Sequence, residues 1–254
     1  MQAPTNRINT AIKALLLPVI LFVGWHLCCQ HLSLSNYLLP TPSMVFGALF
    51  DMIISGELFS HVVASLTRVM IGFVLTSSVA LSFACIFIRF PQCYAYFHVT
   101  FEAIRVIPPL AFSPLLIVWM GIGEGPKITI IFLAAFFPIF LNAYSGLRNI
   151  DTRYLELAKS LDLSRFETIK HIHFPFAVPS IVTGLRLGFG YSWRALMGAE
   201  LIAAASGLGF LIVDAEELAR TDKAMAGIIV IAILGLILDT LIKRLTKNAH
   251  YCSA

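Results

Sequence analysis

The chain has 254 residues, of which 58% are hydrophobic and only 13% charged, with a formal net charge of +4. A soluble domain usually carries about 25% charged residues, so this composition excludes a water-soluble globular surface. The charge is modest, and no nucleic-acid partner is expected. The apolar residues fall into long blocks, and a hydrocarbon core of ~30 Å needs roughly 20 of them in one helix. The first block, residues 14–29, has Arg7 and Lys13 before it but no small-x-small cleavage site after it, so it reads as a retained span. In the outer loop that follows, Pro40-Thr41-Pro42 breaks the chain, Ser43 can cap a helix over 43–55, and Gly56 can stop it. This helix either lies on the outer membrane surface or packs against the bundle.

Five more blocks follow: residues 69–88, 104–123 with Pro108, Pro109 and Pro114, 128–147 with Pro138, 178–205, and 225–242. The reading is an all-α integral membrane bundle of about six transmembrane helices, forming one domain over residues 1–254. Six spans put both termini on one side. That side carries Arg7, Lys13, Arg89, Arg148, Arg153, Lys159, Arg165, Lys170, Lys243, Arg244 and Lys247, eleven cations against Lys127, Arg220 and Lys223 opposite. Arg68, at the start of a span, is left out of the count. Lys and Arg favour cytoplasmic loops, which predicts both termini in the cytoplasm of a bacterial inner membrane.

Chemistry-bearing motifs are sparse. The five cysteines show no metal or redox spacing. No phosphate-cradling G-x-x-x-x-G-K-[ST] run occurs; Gly121-Ile122-Gly123-Glu124-Gly125 has Lys127 at the wrong spacing. His171 and His173 point in different directions on a helix, so no metal site is expected. With no nucleophile, base and orienter grouped together, catalysis is not expected either.

The loop over 149–175 is more informative. Asp151 is a good N-cap, and Leu155, Ala158 and Leu161 form a stripe on a helix over 152–161. Asp162 falls where a glycine would often end a helix in the left-handed conformation. Ser164-Arg165-Phe166-Glu167 is a capping box for a second helix, and Pro175 is expected to stop it. A short surface helix with an apolar edge suits docking into a cleft, or it is an interfacial connector.

The spacing of this loop resembles a signature of ATP-driven importer permeases: E-A-A, three residues, G, nine residues, I, one residue, L-P. Here stand Glu156-Leu157-Ala158, Asp162, Ile172 and Phe174-Pro175, with Leu157, Asp162 and Phe174 departing from it. The resemblance covers roughly residues 37–243 and is carried by Leu39-Pro40-Thr41-Pro42, Ser65-Leu66-Thr67-Arg68-Val69, Arg105 to Ala111, Trp119 to Gly123, Thr183-Gly184-Leu185-Arg186, Ala199-Glu200-Leu201-Ile202 and Gly207-Leu208-Gly209-Phe210. It is similar to the nitrate, sulfonate, taurine and bicarbonate branch, most of all to taurine or aliphatic sulfonate permeases. It implies a type I (MetI-like) permease fold. It also implies an ATPase-docking coupling helix bearing Tyr154, Leu155, Glu156, Ala158, Lys159, Leu161 and Asp162. The partners implied are a second copy of the chain, two ATPase subunits that bind the ATP and magnesium, a periplasmic binding protein and the bilayer. This chain itself would hold no cofactor. A sulfonate such as taurine leads as solute, with nitrate, bicarbonate or a thiamine-precursor pyrimidine open, and an ion-coupled secondary transporter as the rival class.

Ionisable residues inside spans are costly and usually face a bundle interior or a water-filled path. Arg105, Arg186, Arg194 and Glu200 are the candidates to line one. Arg186 and Arg194 share roughly one helix face, whereas Glu200 lies well round the helix, leaving a partner on another span as its alternative. Arg105, Arg186 and Glu200 belong to the shared framework, which weighs toward structural roles for them. Arg194 does not. Gly184, Gly188 and Gly190 predict close helix contact on the fifth span.

Overall fold

Proline and glycine punctuate a chain that is otherwise free to stay helical, and in the computed structural model they set where helices start, bend and stop. The structure describes residues 5–31, 35–150 and 152–246, with the side chains of 5–15, 155, 157, 159, 165, 166, 203 and 245 left aside. The described residues form α1 (Thr5–His31), α2 (Pro42–Ile54), α3 (Glu57–Arg89), α4 (Pro91–Val106), α5 (Ser113–Met120), α6 (Glu124–Arg148), α7 (Thr152–Ser160), α8 (Arg165–Thr168), α9 (Phe174–Ala203), α10 (Leu208–Glu217) and α11 (Thr221–Thr246). Among the described residues, four runs are long and apolar enough to cross a membrane: α3, α6, Ile169–Ile202 and Thr221–Arg244. Leu16–His31 and α2 are shorter apolar helices.

The third expected span is not one helix. α4 ends at Val106, Ile107 is extended (φ −75°, ψ 125°), and a 3-10 turn over Pro109–Phe112 leads into α5. The two helices are bent by 88°, and together they are apolar enough to count as one broken span. The cause is local. A residue before proline is pushed out of the α region, and Pro108-Pro109 applies that constraint twice in succession. Pro114 does no such damage, because it falls in the first turn of α5, where a missing N–H costs nothing.

Two compact units emerge. The first combines the described residues up to Phe59 with Leu211–Ile229. Its core joins Val45 and Met52 of α2 to Leu211 and Ala226, with Trp25 packed alongside. The Trp25 indole donates to the Pro40 carbonyl at 3.1 Å, which fixes the chain before α2. The helix starts one residue earlier than expected, with Thr41 extended at its N-cap and Pro42 inside its first turn, so Ser43 is not the cap. Gly56, at φ +75°, ends it as expected. Lys223 and Glu57 pair at 3.0 Å in the same unit.

The second unit combines Ser60–Phe210 with the described residues from Val230 onward. Its centre is α6, where Ile130, Ile131, Ala135, Ile139, Phe140 and Ala143 are essentially closed to solvent. One flank of α6 meets α3 and α4 through aromatic rings: Phe101 of α4 sits edge-on to Phe136, Phe137 and Phe140, 5.5–5.8 Å away. The other flank meets α9 almost backbone to backbone. A Cβ on Gly184 would fall 2.7 Å from Asn142 Cβ and 3.1 Å from the Ile139 carbonyl, and one on Gly188 would overlap the Ile139 side chain. Gly190 plays no such part, its nearest neighbour being Arg194 at 3.8 Å. Glycines spaced by four thus form the seam, as in other membrane helix pairs. Replacing Gly188 with Leu should cost about 1–3 kcal/mol through overpacking. Thermal melting of the purified protein in detergent would read this as a lower Tm, with Gly190→Ala not lowering it.

Candidate functional site

Three constellations in the second unit combine charge with geometry. The first is the helix pair α7–α8. Asp162 stands at φ 49°, in the left-handed region expected of it, and Leu163 N–H reaches back to the Ala158 carbonyl at 3.0 Å to close the end of α7. The capping box is present: Glu167 N–H donates to Ser164 Oγ at 3.3 Å, and Ser164 N–H donates to Glu167 Oε2 at 2.9 Å. Ser164, through its hydroxyl first and its N–H second, holds the Glu167 carboxyl below the usual carboxylate range. Asp151, the expected cap of α7, lies outside the described residues, as do the side chains of Leu155 and Lys159. Ala158 is buried, the Tyr154 ring lies 4.3 Å from that of Phe176, and Glu156, Leu161 and Asp162 are exposed. Leu161 therefore leaves the buried side of the expected stripe and faces outward.

Pro175 does not stop the second helix. Residues Ile169–His173 form a π turn, with Phe174 N–H donating to the Ile169 carbonyl five residues back, and α9 continues directly from it. Proline in a helix clashes with the carbonyl four residues before it. For Pro175 that carbonyl belongs to His171, inside the widened turn, so the helix runs on.

The second constellation is a buried ion network. Arg68 of α3 donates to Glu124 Oε2 at 2.6 Å, to Glu200 Oε1 at 2.8 Å and to the Ser206 carbonyl at 2.6 Å. Glu200 also accepts from Ser65 Oγ at 2.8 Å and from Gly209 N–H at 3.0 Å, so its carboxylate neutralises the first turn of α10. Lys127, almost fully buried, donates to Glu124 at 3.0 Å. Among the pathway candidates Arg105, Arg186, Arg194 and Glu200, Glu200 is the buried one. Its side chain is fully closed off, with Ser65, Arg68 and Gly209 occupying its oxygens. Arg68 and Glu124 were missed as site members. The available signal was that Glu200, far round its own helix from Arg194, required a cation from another span.

The third constellation is a group of cavities about α9. One, of about 510 Å³, is lined by Arg105, Asn142, Tyr191 and Arg194 among apolar side chains such as Leu110 and Phe137. Two others, of about 530 and 380 Å³, share Arg186, Arg194 and Asp239. Arg105 pairs with Glu102 of its own helix at 2.5 Å, and Arg186 with Asp239 of α11 at 3.4 Å. Arg194 lies over the Tyr191 ring, 5.4 Å from its centroid, and among the described residues no carboxylate pairs with it. The structure thus gathers Arg105, Arg186 and Arg194 around connected lining and leaves Glu200 apart.

Membrane-length helices, a broken span and arginine-lined cavities along one helix define a membrane-embedded helical bundle. The chain belongs to the family described as binding-protein-dependent transport system inner membrane component, which matches residues 80–250. It has that family's MetI-like bundle of about six membrane helices. It is 35% identical over 237 residues to the taurine transport system permease protein TauC of Escherichia coli (strain K12), covering 91% of this chain and 86% of that one. SsuC of Bacillus subtilis (strain 168), named for aliphatic sulfonates transport, is 34% identical over 93% of this chain and 86% of its own. The nitrate import permease protein NrtB of Synechocystis sp. (strain ATCC 27184 / PCC 6803 / Kazusa) is 32% identical over 88% and 83%.

Two outcomes are expected. Arg68→Leu leaves Glu200 as an uncompensated buried charge and should destabilise the protein by about 3–5 kcal/mol, whereas Arg68→Leu combined with Glu200→Leu should recover part of it, both read by denaturation in detergent. The cap at Glu167 has a depressed pKa. Its contribution is therefore complete above the ordinary Glu value of about 4.3 and lost as pH falls through the lower folded value. Ser164→Ala should move the Glu167 titration upward by NMR and make α8 fray at a higher pH.

Proposed function

We propose that this chain is the permease subunit of an ATP-driven importer and passes a small anion, most simply a sulfonate such as taurine or an alkyl sulfonate. The observation that carries the reading is Arg194. A guanidinium within a span costs roughly 2.5–3.5 kcal/mol on insertion scales, yet this one adjoins all three cavities and has an aromatic ring rather than a carboxylate beside it. Its planar fork matches the oxygens of an oxyanion, and Arg105, paired with Glu102, lies on one of the same cavities. Relatives named for sulfonates, taurine and nitrate support an oxyanion, and the nitrate relative keeps nitrate as the second reading.

In this reading the whole chain is one permease domain, with both termini cytoplasmic. A second copy completes the pathway, and a periplasmic binding protein delivers the solute. Two separate ATPase subunits hold ATP and magnesium and carry out hydrolysis. They dock on α7 and its turn, using Tyr154, Leu155, Glu156, Ala158, Lys159, Leu161 and Asp162. Support for the docking comes from the exposure of Glu156, Leu161 and Asp162 and from the ring contact of Tyr154 with Phe176, a rigid link from α7 into α9. The test is reconstitution with the neighbouring ATPase and binding protein in liposomes, followed by ATPase and uptake assays with taurine, ethanesulfonate and nitrate. Stimulation by a sulfonate is expected. Arg194→Ala should cut uptake about ten-fold or more, the loss of one charge-assisted contact, while assembly persists. Glu156→Lys should abolish stimulation. Failure to bind any ATPase subunit would overturn the class, and unchanged uptake in Arg194→Ala would remove Arg194 from the path.

A further inference from the structure

Arg194 is not the last cation on α9. Arg186 lies eight residues away, about 12 Å along the helix axis at 1.5 Å per residue, and lines two of the same cavities. Unlike Arg194 it is already matched. Asp239 of α11 faces it at 3.4 Å and also pairs with Lys243 one turn further on. All three side chains are between two-fifths and half exposed, so the cluster opens on the cavities and is not sealed in the core. Asp239 and Arg194 are lining partners in both cavities.

We propose that Asp239 is a release residue. Resting on the proposed anion path, it gives Arg186 a resident counter-anion, so that a solute leaving Arg194 meets a cation it can share but not keep. A conducted ion must bind well enough to enter and weakly enough to leave. Two bare guanidiniums in succession would satisfy the first condition and fail the second. With Asp239 present, the solute anion displaces the carboxylate from Arg186 for a moment, and the carboxylate returns and displaces the solute toward the Lys243 end. Lys243, already paired with Asp239, holds the carboxylate near while it is displaced. The chemistry of this site therefore takes an oxyanion by exchange with the Asp239 carboxylate on Arg186.

The experiment is ethanesulfonate uptake by the full complex in liposomes, measured as kcat and KM. Asp239→Asn, which bares Arg186, is expected to lower kcat about ten-fold and to lower KM with it, the signature of a solute held too well. Asp239→Glu keeps the charge and should turn over within about two-fold of the wild type. Arg186→Gln with Asp239→Asn removes trap and counter-anion together and should regain the turnover lost by Asp239→Asn alone. Should Asp239→Asn not assemble, the double variant decides: turnover near wild type supports the proposal, and a ten-fold loss overturns it. Unchanged kcat in Asp239→Asn, or a raised KM with no rescue in the double variant, also overturns it. Arg194→Ala separates the two levels. Uptake lost there but intact in Asp239→Asn overturns the release role alone, whereas uptake intact in Arg194→Ala overturns the anion path beneath it.

Discussion

The close approach of α9 to α6 governs most of the second unit. Gly184 and Gly188 leave no side chain between the two backbones, and Ile139 fills the space a Cβ would need. In lipid, helix pairs gain little from the hydrophobic effect and depend on van der Waals contact, so a seam of small residues is a principal source of cohesion. It also fixes rotation. With Gly184 and Gly188 turned to α6, Arg186 faces Asp239 of α11, and Arg194 lies to one side of the seam, over Tyr191 and on the cavity it lines with Phe137 and Asn142 of α6. The packing residues and the charged residues are therefore two readings of the same helical phase.

Around that seam, the ion network and the ring cluster both use α3 and α6 but at different places along them. Arg68 and Glu200 hold the segment between α9 and α10 to α3, and Ser65 accepts from Leu208 N–H while donating to Glu200. The aromatic rings hold α4 to α6 without any directional bond, through edge-on contacts that tolerate small shifts. One end of α4 is thus laid on a compliant surface, and the other runs into Pro108-Pro109, where no helix can continue.

Much of this was legible in the residues, and the misses share a cause. Block length located the spans because hydrocarbon thickness is a fixed ruler. Asp162 and the Ser164–Glu167 box were readable because turns and caps are local chemistry. Pairings between helices were not readable. Nothing near Glu200 in sequence identifies Arg68, which lies far earlier in the chain, and nothing near Arg186 identifies Asp239, which lies on another helix. Proline has opposite outcomes at two places. Pro108-Pro109 broke a span that composition treated as whole, and Pro175 failed to break a helix that its ring should have ended, since the π turn around His171 removed the clash.

That π turn has a consequence for the register of everything after it. A π turn is an α-helix carrying one surplus residue, and each residue of an α-helix is worth about 100° of rotation. The surplus residue in Ile169–His173 therefore sets the angular phase of α9 relative to the helix pair that precedes it. An otherwise identical chain lacking one residue there would present Gly184 and Gly188 about 100° away from α6 and carry Arg194 off the cavities it now lines. A deletion that leaves every apolar block and every charge in place would thus disassemble the seam. The length of this turn therefore matters to α9, although nothing in its own composition, Ile-Lys-His-Ile-His, gives it that weight.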